Sequence, residues 1–151
     1  EQPYEGAWKM YRRGYFESKG GTRYSFRTYR QWKNGTDVDD YKDTQLANYW
    51  NQGEGSFIVQ CACGRVIRWL IANDFYNGAV LPINTVHDAI YLDCINSEWA
   101  IYAGKYTESL MSGTPKYMCE VMPAYKDWRY DTTPFPAVAE YGVSMYDKVA
   151  C

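Results

Sequence analysis

The chain has 151 residues, 46% of them hydrophobic and 23% charged, with 16 Lys plus Arg against 18 Asp plus Glu for a net charge of −2. These proportions exclude a mainly disordered chain and predict one domain over residues 1–151 with a real core. No apolar run approaches the ~20 residues of a bilayer crossing, so no membrane partner is expected. Five Cys and a single His predict reduced, mostly buried thiols and a cytoplasmic setting, not a disulfide framework or a zinc site.

In chain order, the spacing of Tyr4, Ala7, Trp8 and Tyr11 predicts a short helix over residues 3–13, ended by Gly14. Residues 15–17 and 23–27 flank Lys19-Gly20-Gly21, a glycine-bearing connection suited to a β-hairpin. Asp37, Asp39, Asp40 and Asp43 follow a turn at Asn34-Gly35-Thr36 and read as a solvated acidic loop. A long helix is predicted over 44–73, its inner face set by Ile58, Ala62, Val66 and Trp69, then Ile71 or Asn73, with Arg65 and Arg68 turned elsewhere. Asn77-Gly78 ends it.

Residues 80–86 and 89–93 read as two strands around His87-Asp88. Asn96 or Ser97 caps a third helix, with Glu98 in its first turn and Trp99, Ala103, Tyr106 and Leu110 on one side. A helix near 115–128, a link containing Pro134 and Pro136, and a strand near 137–141 complete the order. The predicted class is α+β, helices packed on a small antiparallel sheet.

Charge is unevenly distributed. Residues 1–33 hold eight cations and three anions, a net +5 that leaves −7 on the remainder. The cations alternate with Tyr15, Phe16, Tyr24, Phe26 and Tyr29, a mixture that suits a phosphate backbone as well as a solvated hairpin.

A carboxylate in a tight strand-to-strand turn is held rigidly at the edge of a sheet, where it can offer an oxygen to Mg²⁺. By itself His87-Asp88 fits an ordinary Asx turn equally well. Val86-His87-Asp88, followed by apolar strand residues, resembles motif C in the palm of family A DNA polymerases. Asn48-Tyr49-Trp50-Asn51-Gln52-Gly53 is similar to that family's Asn-x-Pro-x-Gln-Gly stretch at the start of a palm helix. The segment from Gly14 to Tyr24 resembles its Gly-Tyr-x-Glu-Thr hairpin, and Phe135 to Asp147 its closing strand and tail. The four matches occur in family order and cover nearly the whole chain.

The resemblance implies a polymerase palm subdomain in which Asp88 is a catalytic metal ligand and His87 sits near the primer 3′ terminus. It implies that Asn48 and Gln52 reach the minor groove of primer–template DNA, and that Arg23, with Lys19 and Arg27, contacts the duplex backbone. Mg²⁺ is the implied cofactor and a dNTP the implied substrate. The departures are Ala89 for the Glu usual after the motif C Asp, Trp50 for Pro, Phe57 for Asp and Met145 for Trp. The family's motif A Asp, fingers helix and thumb have no match, so the resemblance implies a C-terminal palm segment, incomplete and inactive without a second polypeptide that supplies them. A phage-type enzyme in a host cytoplasm fits these changes. A single-subunit RNA polymerase palm, to which Ala89 is better suited, and a non-catalytic nucleic-acid-binding subunit are the alternatives.

Overall fold

The computed structural model describes residues 14–129 and 132–151. The helix expected over 3–13 lies outside the described residues. The class is α+β: among the described residues there are three α-helices and four separate two-stranded antiparallel sheets. The chain divides into two compact units between Phe57 and Ile58.

The first unit opens with β1 (Tyr15–Glu17) and β2 (Arg23–Ser25), in register Phe16↔Tyr24. Next come β3 (Tyr29–Lys33) and β4 (Thr36–Asp40), joined at Asn34 (φ 51°) and Gly35 (φ 83°). Two successive positive φ values match the right-handed strand twist, which is why Asn-Gly closes this hairpin. The acidic stretch is therefore a strand and not the expected loop. Asp has a poor strand propensity, but here Arg30 meets Asp37 at 2.9 Å and Lys33 meets Asp40 at 2.6 Å, placing opposite charges across the ladder.

Helix α1 (Asp43–Ala72) begins in this unit and continues into the second. Leu46 and Phe16 are buried in the first unit, with the Phe16 ring 4.5 Å from Trp50 and Phe26 edge-on to Tyr49. Phe16 thus gives an apolar reason for Trp50. The stretch Thr44–Ala72 is, by length and composition, long and apolar enough to cross a bilayer. Its inner face also builds a protein core.

That core joins Val66, Trp69 and Leu70 of α1 to Val80 and Ala103, with Phe75, Ile90, Leu92, Trp99 and Leu110 packed around them. Ala62, Val66 and Trp69 lie inward as their spacing predicts, whereas Ile71 and Asn73 face solvent. The helix stops at Ala72, before the expected Asn77-Gly78 signal; a 3₁₀ turn, Asp74–Tyr76, intervenes, and Asn77 (φ 56°) and Gly78 (φ 83°) end that turn instead. Strands β5 (Val80–Val86) and β6 (Ala89–Cys94) follow, then α2 (Ser97–Ser112). Asn96 Oδ1 accepts the Trp99 N–H at 3.0 Å and is the cap.

Helix α3 (Thr114–Val121) is shorter than expected. Pro123 disfavours helical geometry in the residue before it, and Met122 accordingly leaves the helix at φ −113°, ψ 105°. The C-terminal strand is β7 (Glu140–Gly142), paired with a strand the sequence did not announce, β8 (Lys148–Ala150).

Candidate functional site

His87 and Asp88 form the two-residue turn of the β5–β6 hairpin, flanked by the pair Val86↔Ala89. β-Branched and apolar residues on both strands favour the ladder, and Pro82 coincides with a register shift between Pro82 and Asn84, where a missing N–H is tolerated. Val80, at the far end, is fully buried; the turn is exposed. The hairpin is therefore anchored at one end and presents its tip to solvent. His87 has φ +54°, an uncommon conformation for a residue with a Cβ.

Among the described residues Asp88 has no ion-pair partner, and no three His, Cys, Asp or Glu side chains stand close enough together to hold a metal. One exposed carboxylate is a ligand that Mg²⁺ accepts, but alone it does not fit a two-ion centre. Ala89 adds no donor.

Asn48 and Gln52 stand one helical turn apart on α1 and, with Thr44, Gln45 and Tyr49, line a recess of about 340 Å³. The face is one of amides, hydroxyls and an aromatic ring. Gln45 Nε2 donates to Tyr29 Oη at 3.4 Å, which fixes one end of it. Gly53 is required there: a Cβ would lie 2.8 Å from the Tyr24 ring, and Tyr24 Oη donates to the Gly53 carbonyl at 3.1 Å. Burial, with the Glu54 carboxylate nearby, pushes the Tyr24 hydroxyl above its ordinary pKa and keeps it a donor.

The expected backbone-binding cations are in the same unit. Lys19 is at the tip of the β1–β2 hairpin. Arg23 Nε donates to Glu17 Oε2 at 2.7 Å, with its guanidinium 5.0 Å from the Tyr15 ring centroid. That hydrogen bond is the first cause raising the Arg23 pKa. Arg27 is exposed and has no ion pair among the described residues. Thus Lys19, Arg23, Arg27, Asn48 and Gln52 belong to one unit and His87 and Asp88 to the other.

Arg65, turned away from the Ala62–Val66–Trp69 face as expected, has partners the sequence did not reveal. It is half-buried, donates from Nη1 to the Leu110 carbonyl at 2.6 Å and to Thr114 Oγ1 at 3.1 Å, and lies over the Tyr117 ring. Burial lowers its pKa, the largest effect upon it. The guanidinium satisfies a carbonyl at the end of α2, a role invisible in a helical wheel of α1 alone. No family model, curated protein or solved structure matches this chain.

Proposed function

We propose that this chain is the C-terminal palm portion of a template-directed DNA polymerase of the family A type, one polypeptide of a larger deoxynucleotidyl transferase. The observation that carries this reading is Asp88, an exposed carboxylate with no ion pair among the described residues, in the two-residue turn of an anchored hairpin. The amide face of Asn48 and Gln52, exposed on α1, supports it from the other unit.

In this reading Asp88 contributes one oxygen ligand, and a partner polypeptide carrying the remaining catalytic Asp, fingers and thumb supplies the rest. Asp88, together with the partner's carboxylate, would hold Mg²⁺, which would supply charge stabilisation at the primer 3′-hydroxyl and the leaving pyrophosphate. His87 stands beside the primer terminus. Asn48 and Gln52 donate to minor-groove acceptors present at every base pair, which permits binding without reading sequence. Lys19, Arg23 and Arg27 meet phosphates, a contact that positions the duplex and weakens with salt.

Native mass spectrometry on the protein isolated from its source is the first test. A stoichiometric complex with a larger chain that extends a primer with dNTPs is the expected result. Asp88→Ala in that complex should abolish synthesis while leaving DNA binding. Mg²⁺- and Asp88-dependent extension by the isolated chain would overturn the divided enzyme, and unchanged synthesis by the Asp88→Ala complex would overturn the catalytic role.

A further inference from the structure

Among the described residues, strand β6 has a partner on one side only. Ile95 N–H donates to the Ala79 carbonyl at 3.0 Å, which extends the β5–β6 ladder through the odd-numbered residues of β6. By the alternation of an antiparallel ladder, the main-chain groups of Ile90 and Leu92 point away from β5. The C-terminal segment repeats the arrangement. Residues 135–142 alternate strictly between half-buried and exposed, the period of an extended strand. Cys151 N–H donates to the Ala139 carbonyl at 3.0 Å, so Ala139 and Tyr141 face β8 and the groups of Val138 and Glu140 point the other way.

Both strands pack on α2, yet they belong to different sheets. Between these elements is a cavity of about 670 Å³, wholly within the second unit. Seven successive residues, 88–94, and eight successive residues, 135–142, line it. A strand that offers a face lines a cavity with every second residue; unbroken runs mean that strand edges border it. Ala100, Gly104, Thr107 and Met111, one stripe of α2, line it as well, and Ile58, Val59 and Ala62 of α1 border it from another side. Thr107 is 7% exposed, and its hydroxyl has no hydrogen-bond partner among the described residues.

We infer that this slot receives an extended strand of a partner polypeptide, which joins β6 to β7 in one sheet over α2. The inference rests on the reading that the chain works with such a partner and names the contact. Open edges recognise main chain, and the side-chain rows specify which strand fits. On the core side Ile90 and Leu92 call for apolar residues at alternate positions. On the solvent side the exposed Asp93 has no ion pair among the described residues and calls for a cation beside it. The occupant is thus a strand of about six residues, the length of β6, alternately apolar and carrying Lys or Arg at the Asp93 end.

The test uses the whole chain and the synthetic peptide Lys-Val-Thr-Val-Thr-Val-Thr-Lys, whose two lysines serve either strand direction. Amide exchange of Ile90 and Leu92 should be fast in the free chain and at least tenfold slower with millimolar peptide. A version N-methylated at alternate residues should give no protection, and a Glu-flanked version should bind about fivefold more weakly. Asp93→Lys should reverse that preference. No slowing at millimolar peptide, or equal protection by the N-methylated peptide, would overturn the inference. Protection in the free chain that rises with protein concentration would assign the slot to a second copy and overturn it too. Loss of the polymerase reading would appear in primer extension and leave this exchange pattern unchanged.

Discussion

The β3–β4 and β5–β6 hairpins both close on two-residue turns, but they treat their charges in opposite ways. In β3–β4 each carboxylate that pairs finds a cation across the ladder, Asp37 with Arg30 and Asp40 with Lys33, and the turn itself is uncharged Asn34-Gly35. In β5–β6 apolar residues hold the ladder to a core, while the turn is the ionisable pair His87-Asp88. A carboxylate that balances a neighbour stabilises its own hairpin. One at an exposed tip, with no ion-pair partner among the described residues, is available to something outside the chain. Acid content alone does not separate these cases, since β4 has more carboxylates than the turn that carries the proposed chemistry.

The largest expected effect breaks the comparison at its centre. In the assembled complex, Asp88→Ala should lower kcat by ~10³-fold or more, about 4 kcal/mol of barrier, with an unchanged melting midpoint. Asp40→Ala should leave kcat as it was. Primer extension with a parallel thermal melt reads both.

Burial supplies the next contrast. Leu70, fully buried against Val80 and Ala103, should cost about 3 kcal/mol when truncated to Ala, whereas Val38, 37% exposed on β4, should cost no more than about 0.5 kcal/mol. Urea titration followed by fluorescence measures the difference. A Leu70→Ala cost as small as that of Val38 would show that the second unit is not held by this core. Asn96→Ala removes the acceptor for the Trp99 N–H and should cost about 1 kcal/mol in the same titration.

Charge that is not spent inside the chain should appear in DNA binding. Arg27→Ala should reduce the slope of log affinity against log salt by about one phosphate contact. Arg30, already paired with Asp37, should change the slope less.

The smallest effect is a pH dependence confined to the first hairpin pair. The Lys33 ammonium, then the Tyr41 N–H, hold the Asp40 carboxyl below its ordinary pKa of 3.8. A depressed carboxyl pKa contributes stability above the unfolded value, lost as pH falls through the folded one. Amide shifts of β3 and β4 should therefore move below about pH 4, and Lys33→Ala should shift that transition upward. A transition unmoved by Lys33→Ala would break the assignment of this pair.

Much of the fold was legible because its signals are local. Asn96 three residues before Trp99, Asn77-Gly78 after an apolar period, and two β-rich runs around His87-Asp88 each carry their own geometry. The acidic strand was not legible, because single residues of β4 argue against a strand and only their pairing with Arg30 and Lys33 reverses the balance. The contacts of Arg65 were not legible for a related reason: its partners at Leu110 and Thr114 are 45 and 49 residues away. Of the candidate site, the Asp88 turn could be placed from the two β-rich runs around it, whereas Asn48 and Gln52 were singled out only by the resemblance. The open edge of β6 could not, since an edge is defined by what fails to pair with it.

The sequence by itself determined the α+β class, the long α1, the β5–β6 hairpin and the placing of an acid in its turn, because caps, turn residues and periodicity act within a few residues of one another. Tertiary structure alone decided that the acidic stretch is a strand, that Arg65 turns inward to cap α2, and that β6 and β7 lie over one helix without pairing. Each of those outcomes depends on groups far apart in the chain, whose contacts outweigh local preference only when the fold brings them together.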